Sequence, residues 1–366
     1  MRLLRLLPIV FVTLDACVER LELPVAEGKP RLLVDGLLTN NLGTHSVKLS
    51  TTTSLEKPLG EATPITNASV HLIDNHGNTF PLVHSKEGVY SITNFQGQTG
   101  THYKLQFRTA EGKEYESTLQ ALQPAGDISA ITYELVENAI NKNDLAAPHD
   151  VFRFYIDAKN SAGSPGLFRW RWTAVYEVLT FPELRTKPVP GIPPSRAPDP
   201  MQCSGWVANG MTMHQVRPCE CCTCWVTEYS RTSLVSNNQF ALKPEFNHVQ
   251  IAQVPIDWKK FQAKYFIKIE QLNLSDEVYE FWKNVAAQQS GTRNLFQPNV
   301  IRMRGNITCL SDPDEEVAGI FSVAGSTTSE IFINRRQVPK ALQTDTVIND
   351  CRLAYPGSTT EKPTFW

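Results

Sequence analysis

The sequence has no block of positive charge. Its formal net charge is −2, and lysine and arginine are spread over the 366 residues. Proteins that follow a phosphate backbone concentrate basic residues on one face, because each neutralised phosphate releases counterions. We therefore expect no nucleic-acid partner.

Long apolar runs are missing after residue 16. No later stretch approaches the roughly 18 consecutive apolar residues that a membrane-spanning helix needs. Catalytic motifs are also missing: the chain has no Gly-x-Ser-x-Gly, no His-Glu-x-x-His, no phosphate-binding glycine loop and no dinucleotide fingerprint. We therefore predict that the chain is not an enzyme, and we assign no catalytic residue, no metal ligand and no cofactor beyond a covalent lipid.

The N-terminus carries that lipid prediction. Arg2 and Arg5 precede an apolar stretch at residues 6–14, a pattern typical of an export signal and too short to span a membrane. The signal would occupy residues 1–16, and Leu14-x-Ala16-Cys17 resembles a lipobox, in which the cysteine is acylated. Asp15 stands where a small uncharged residue is usual, and the alternative is an uncleaved leader with a free thiol. We predict lipid attachment at Cys17, followed by a polar tether over residues 17–30.

An exported chain meets oxidising conditions, which favour disulfides over free thiols. Seven cysteines follow Cys17, so at least one stays unpaired if the others pair. The disulfide candidates are Cys203, Cys219, Cys221, Cys222, Cys224, Cys309 and Cys351.

Four of these cysteines lie within residues 219–224, which ordinary core packing does not explain. One interpretation is a knot of disulfides that holds an insertion with little core of its own. The alternative is a metal site, because Cys219-x-x-Cys222 and Cys221-x-x-Cys224 have zinc-like spacing. The compartment favours disulfides. A bond between Cys309 and Cys351 would tie the C-terminal segment back to its domain, whereas the other pairings stay open.

The length predicts two domains, because one core rarely serves so many residues. Residues 31–120 alternate apolar with polar residues, as in Tyr103, Leu105 and Phe107, and turn signals separate the alternating runs. This pattern predicts a small immunoglobulin-like β-sandwich.

Residues 121–150 form the predicted junction, with a strand at 128–135. A larger β-rich domain follows over residues 151–366, beginning with clear strand patterns at 151–156 and 167–179. It contains a Pro/Cys-rich insertion at 181–225, of which residues 181–200 carry seven prolines and should be irregular. An amphipathic helix is predicted at about 275–290, with Ser275 as N-cap and Val278, Phe281 and Trp282 on one face. The fold class is therefore mostly β with one amphipathic helix.

The order of several motifs resembles a known family, the lipoproteins of the domain-of-unknown-function 4249 family of Bacteroidota. After Cys17, the similar segments are LLVDGLLT at 32–39, HSVKLS at 45–50, GVY at 88–90, YKL at 103–105, GKEYES at 112–117, NITCLSDP at 306–313 and VAGIFS at 317–322. The resemblance implies a lipoprotein anchored in the outer membrane and facing the cell exterior. It also implies a partner, a SusC-type TonB-dependent outer-membrane barrel transporter. The family supplies no catalytic residue.

Three functional hypotheses follow. The first is a surface-exposed accessory or binding subunit of such a transporter complex. The second is a stand-alone glycan- or peptide-binding surface lipoprotein, for which the seven tryptophans could form a stacking platform, although most should be buried in a β-rich core. The third, the least favoured, is a secreted metalloenzyme that uses the region between Cys203 and Cys224.

Overall fold

A computed structural model describes residues 30–52, 62–139, 149–162, 164, 166–191, 195–236, 245–291, 304–338, 342 and 344–366. The predicted signal segment, Cys17 and the tether up to residue 29 lie outside the described residues, as do residues 140–148 of the predicted junction. The described residues are mostly β-strand, which confirms the predicted fold class. No helix among them combines the length and apolar character that a membrane span requires.

Nine strands follow one another between residues 32 and 121: β1 (Leu32–Thr39), β2 (Gly43–Thr51), β3 (Thr63–Pro64), β4 (Ser69–Asp74), β5 (Thr79–Lys86), β6 (Val89–Phe95), β7 (His102–Arg108), β8 (Glu114–Ser117) and β9 (Gln120–Ala121). Their burial follows the alternation in the sequence. In β7, Tyr103, Leu105 and Phe107 are buried, and the residues between them are partly exposed.

The second group of strands comprises β10 (Asp127–Ala139), β11 (His149–Lys159), β12 (Phe168–Leu179), β13 (Thr186–Val189), β14 (Ser195–Pro198), β15 (Trp206–Asn209), β16 (Thr212–Gln215), β17 (Thr223–Tyr229), β18 (Leu234–Val235), β19 (Glu245–Pro255) and β20 (Lys264–Asn273). Helix α1 (Asp276–Gly291) follows, then β21 (Ile307–Cys309), β22 (Ala318–Asn334) and the short helix α2 (Cys351–Ala354). Three 3-10 turns lie at Pro182–Leu184, Gln202–Ser204 and Arg335–Gln337.

The first sandwich combines β1–β9 with β21 and the first half of β22. Its strands are hydrogen-bonded in the order β22-β1-β2-β6-β5-β4-β7-β8-β21. Buried side chains from both ends of this path, such as Val34, Leu105 and Phe321, belong to one core, so the path is folded into two layers. This arrangement is consistent with the predicted immunoglobulin-like sandwich. The predicted boundary at residue 120 does not enclose it, however, because β21 pairs with β8 and β22 pairs with β1.

The second sandwich packs two sheets around its own core. One sheet has the order β17-β12-β20-β22, with β18 also on β12, and the other has the order β10-β11-β19. Phe154 from β11, Trp170 from β12 and Ile267 from β20 share the core. The predicted strand at 128–135 lies within β10 and belongs to this sandwich.

Strand β22 belongs to both sandwiches. Its residues 318–324 pair in parallel with β1, and its residues 325–334 pair in antiparallel with β20. The hydrogen-bonded sheet therefore continues without a break from the first sandwich into the second.

Helix α1 lies at the junction and confirms the predicted helix within one residue at each end. Val278 and Tyr279 are buried against Leu272 and Ile320, and Phe281 and Trp282 pack beside them. The hydroxyl of Ser275, predicted as the N-cap, donates a hydrogen bond to Gln120 of β9. Glu277 accepts hydrogen bonds from Thr118 and Gln120, both at 2.6 Å. These bonds hold the start of the helix on the first sandwich.

The insertion at 181–225 differs from its prediction. Residues 186–198, expected to be irregular, contain the hairpin of β13 and β14, in which Pro188 lies opposite Arg196 and Pro198 lies opposite Thr186. These two strands form a sheet of their own, so each strand has one free edge. A proline is tolerated there because its missing N–H group leaves no hydrogen bond of the sheet unmade. A second hairpin, of β15 and β16, follows it.

Gly319 is the residue of β22 that approaches β1 most tightly. Its φ is +89°, and a Cβ atom at this position would lie 1.9 Å from the carbonyl oxygen of Val34. We expect Gly319→Ala to lower the free energy of unfolding by about 3 kcal/mol or more, because both strain and the clash separate β22 from β1. Denaturant titration measures the change. Gly43→Ala is the control, since a Cβ atom there meets nothing within 4 Å. Equal losses in the two variants would contradict the prediction.

Candidate functional site

The candidate site lies on the outer face of the sheet that contains β12 and β20. Alternate residues of β12 face opposite sides of the sheet. Phe168 and Trp170 are buried in the core of the second sandwich, and Trp172 packs against it, so the three share one face as predicted. The intervening residues, Arg169 and Arg171, therefore project from the other face.

These arginines line a groove with a volume of about 730 Å³. This lies within the range typical of small-molecule sites, roughly 300–1,000 Å³. We call it the cationic groove. Its lining residues are Asn41, Arg169, Arg171, Trp172, Thr173, Val175, Thr227, Tyr229, Ser230, Phe266, Lys268, Glu270, Thr328, Pro363 and Phe365.

The C-terminal segment, residues 344–366, closes one end of the groove. Thr359 exchanges two main-chain hydrogen bonds with Trp225 of β17, at 2.8 and 3.0 Å. Phe365 stacks on Phe266 with ring centroids 4.3 Å apart, and Trp366 packs against Phe332. This segment covers the aromatic part of the outer face and leaves the part with Arg169 and Arg171 accessible.

Elements from the first sandwich and helix α1 form the other end. Two smaller cavities adjoin the groove and share its arginines. One, of about 110 Å³, lies between Arg169, Asp35 and Trp282. The other, of about 310 Å³, lies between Arg171 and the turn that joins β1 to β2, including Asn41 and His45. The groove therefore crosses the junction of the two sandwiches.

A hydrogen-bond network fixes this junction. Glu270 of β20 forms an ion pair with Arg171 and accepts a hydrogen bond from the Ser326 hydroxyl at 2.7 Å. The Asn41 side chain donates to the same hydroxyl at 2.9 Å. Glu270 thus has a cation on one oxygen and a hydroxyl on the other, and it is not available to neutralise a further charge.

Arg169 is the unusual member of the set. Its guanidinium lies 3.4 Å from the centroid of the Trp282 ring, a cation–π contact. Its Nε atom is buried and has no hydrogen-bond partner, and the same is true of the Trp282 Nε1 atom. Burial, together with the nearby charge of Arg171, lowers the pKa of Arg169 to about 10. The side chain stays protonated at neutral pH, so the fold holds a largely desolvated cation at this point.

The charges of the groove do not balance. Three cations, Arg169, Arg171 and Lys268, line it together with one carboxylate, that of Glu270. Among the described residues neither Arg169 nor Lys268 forms a close ion pair, although Asp35 lies beside Arg169 and Glu330 lies opposite Lys268 in the pairing of β20 with β22. The groove is therefore positive, although the chain as a whole carries a net charge of −2.

The lining of the groove is rich in groups that form hydrogen bonds. The lining contains hydroxyl groups, an amide, cations and aromatic rings, and its single carboxylate is held in an ion pair. Among these residues no nucleophile lies beside a general base, which the usual hydrolytic mechanisms require.

Six of the seven predicted disulfide candidates form three bonds: Cys203–Cys221, Cys219–Cys222 and Cys224–Cys351. The first two lie within the insertion. The third joins β17 to α2 and so attaches the C-terminal segment that closes the groove. Of the three bonds, Cys224–Cys351 is therefore the one that supports the groove.

The predicted bond between Cys309 and Cys351 is wrong. Cys309 is a buried free thiol on β21, in the core of the first sandwich. Cys351 is buried in the core of the second sandwich, where it bonds to Cys224. The two cysteines belong to different sandwiches, which the sequence pattern did not reveal.

One group of potential ligands among the described residues bears on the alternative that the cysteine cluster binds a metal. The ligand atoms of Cys203, Cys221 and Asp350 lie within 4.8 Å of one another. Cys203 and Cys221 are bonded to each other, however, so they offer no thiolate pair. The Asp350 carboxylate accepts hydrogen bonds from Arg352, which hold its pKa below the usual range.

Among the groove residues, only Trp172 had been considered from the sequence, as one of the seven tryptophans. The seven tryptophans do not form an exposed platform either, because each is buried or half-buried. One signal was available: in residues 168–172 arginines alternate with large aromatic residues, which places two cations on the outer face of an otherwise apolar strand. The contributions of Glu270, Tyr229 and Phe365 come from distant segments, and no local pattern marks them.

Comparison with known proteins identifies one family model. The model named Domain of unknown function (DUF4249) matches residues 18–330. No curated protein matches the chain. The matched range contains the first sandwich and the second up to residue 330 of β22, and it includes every groove residue except Pro363 and Phe365.

The Cys224–Cys351 bond provides a test of how the C-terminal segment is held. It closes a loop of 127 residues, whereas Cys219–Cys222 closes a loop of three. We expect the double variant Cys224→Ala/Cys351→Ala to lose about 5 kcal/mol of unfolding free energy, and Cys219→Ala/Cys222→Ala about 2 kcal/mol, because a longer loop restricts the unfolded chain more. Denaturant unfolding without reductant measures both. The expectation fails if the second pair loses as much as the first.

Proposed function

The chain belongs to the DUF4249 family, and on that premise we propose that it is a lipid-anchored binding protein of the outer membrane. In this proposal it faces the cell exterior, is not an enzyme, and serves as an accessory subunit beside a SusC-type TonB-dependent transporter. The only attached group would be the lipid on Cys17.

The cationic groove is the observation that carries the binding function. Its volume is large enough for a ligand, its lining carries three cations and one carboxylate, and its floor is a sheet that continues through both sandwiches. Sites built on paired strands hold their side chains more rigidly than sites on loops. A rigid, charged groove without a nucleophile–base pair supports recognition of a ligand rather than its conversion.

The export signal and the disulfides support the location. Arg2, Arg5 and the apolar stretch before Cys17 have the pattern of an exported lipoprotein. Three disulfides favour an oxidising compartment. The outer membrane, the exterior face, the origin in Bacteroidota and the transporter partner come from the family resemblance described above.

A second candidate is a stand-alone glycan- or peptide-binding surface lipoprotein. One observation favours it: the rings of Tyr229 and Phe365 at the groove are 67% and 45% exposed. Exposed aromatic rings can stack on a ligand without the help of a partner protein.

The anchor is tested by metabolic labelling with palmitate. We expect label on the wild-type protein and none on Cys17→Ala, which should also leave the membrane fraction. Cys309→Ala is the control, because it removes the other free thiol and should keep the label. Equal labelling of wild-type and Cys17→Ala would exclude acylation at this residue.

The transporter association is tested by gentle detergent extraction from native membranes, followed by capture with an antiserum. A terminal tag is avoided because Trp366 packs against Phe332. We expect an outer-membrane transporter of the SusC type to be captured with the chain. Capture of the lipoprotein alone, at native expression levels, would exclude a stable complex and leave the stand-alone candidate.

A further inference from the structure

We propose that the cationic groove binds an acidic oligosaccharide, whose carboxylate is held at Arg169 and whose sugar rings extend over the floor toward Tyr229 and Phe365. This inference rests on the proposed binding function and names its ligand class. It is carried by three features of the groove: its unmatched charge, its hydroxyl-rich floor and its exposed aromatic rings.

The unmatched charge requires an anion. A cation that is taken out of water is costly unless an opposite charge or hydrogen bonds compensate it. Arg169 is stacked on Trp282 and its Nε atom has no acceptor. Asp35 shares the adjoining cavity and Glu270 lies nearby, but neither forms a close ion pair with Arg169. A guanidinium binds a carboxylate through two parallel hydrogen bonds, which fits a side chain already fixed in one orientation by its ring contact.

The floor beyond Arg169 is suited to hydroxyl groups. Thr173, Thr227, Ser230 and Thr328 contribute hydroxyls that both donate and accept hydrogen bonds, and Asn41 contributes an amide. Lys268, which is exposed, adds a second cation opposite Thr173 in the sheet register. A ligand with many hydroxyls and a repeated carboxylate meets a partner at each of these positions.

The groove is longer than a single sugar ring. Arg169 and Thr173 are four residues apart on β12, a distance of about 13 Å along a strand. Tyr229 lies opposite Thr173 on β17, and Phe365 lies farther along the same face. Aromatic rings at this end present an apolar face on which the flat side of a sugar can stack, so a short oligosaccharide fits better than a monosaccharide.

A peptide is less well matched. Peptides that bind to sheets pair their main chain with a free strand edge. The floor strands β12 and β20 are paired on both sides, β12 with β17 and β20, and β20 with β12 and β22. These two strands therefore offer side chains and no free main-chain hydrogen bonds, and the outer side of the edge strand β17 is bridged to Thr359 at Trp225.

Calorimetric titration of the purified full chain in mild detergent tests the proposal. The probes are oligomers of galacturonate, glucuronate and mannuronate, each beside its carboxyl-reduced counterpart of the same length. We expect at least one acidic oligomer to bind and its reduced form to bind about 10-fold more weakly or not at all, because the charged hydrogen bonds are lost. Added salt should weaken the binding of the acidic oligomer and leave any binding of the reduced form unchanged.

Three variants assign the site. Arg169→Met should weaken binding by about 10-fold or more, and Lys268→Gln, at an exposed position, by about 3-fold. Arg108→Gln is the control: it removes a positive charge on the first sandwich, at a position outside the groove, and this variant should bind the oligomer as the wild type does. Arg169→Met should unfold at the same temperature as the wild type or higher, because it replaces a desolvated cation without an ion-pair partner by an apolar chain. Loss of binding together with kept stability separates recognition from a structural role.

Several outcomes would overturn the proposal. They are no binding of any acidic oligomer, equal binding of the reduced forms, unchanged binding by Arg169→Met, or tighter binding of a peptide with a free C-terminal carboxylate. None of these measurements depends on the lipid or on the transporter. Failure here, with palmitate labelling and co-purification intact, would remove the ligand class and leave the proposed accessory function in place.

Discussion

Main-chain pairing along β22 holds the two halves of the molecule together. Residues 318–324 complete the sheet of β1, and residues 325–334 complete the sheet of β20, so one strand supplies an edge to each sandwich. Hydrogen bonds between adjacent strands resist shear, and a strand that is paired in both sandwiches cannot bend freely at their junction. Gly319 permits the approach to β1, because its positive φ and missing Cβ leave room for the Val34 carbonyl. The relative position of the sandwiches follows from this pairing.

The groove depends on that continuity. Its floor comes from β12 and β20, one end from the C-terminal segment, and the other end from the turn after β1 and from Trp282 of α1. The link from Asn41 through Ser326 to Glu270 crosses from one sandwich to the other and holds Arg171 by the ion pair. Contacts between distant segments thus position the charged side chains. Asn41 and Ser326, for example, are 285 residues apart in the chain.

Local features of the sequence predicted local features of the fold. Period-two alternation identified strands such as β7, and the capping and apolar pattern located α1, because burial on one side leaves a direct trace in the residue order. Pairings between distant segments leave no such trace. The insertion of β21 and β22 into the first sandwich, and the bond of Cys351 with Cys224 in place of Cys309, could not be read from spacing. For the same reason the sequence did not predict the groove. Only Arg169 and Arg171 belong to a local pattern, the alternation of arginine with aromatic residues at 168–172.

The late position of β21 and β22 in the chain also affects how the protein is made. During synthesis from the N-terminus, residues 32–121 emerge long before the strands that cover β1 and β8. Until then these two strands present unpaired edges, which favour association between chains. The first sandwich can close only after most of the second has emerged, because β21 and β22 follow β10–β20 in the chain. A chaperone that shields strand edges during synthesis would therefore matter more for this chain than for one with two contiguous sandwiches.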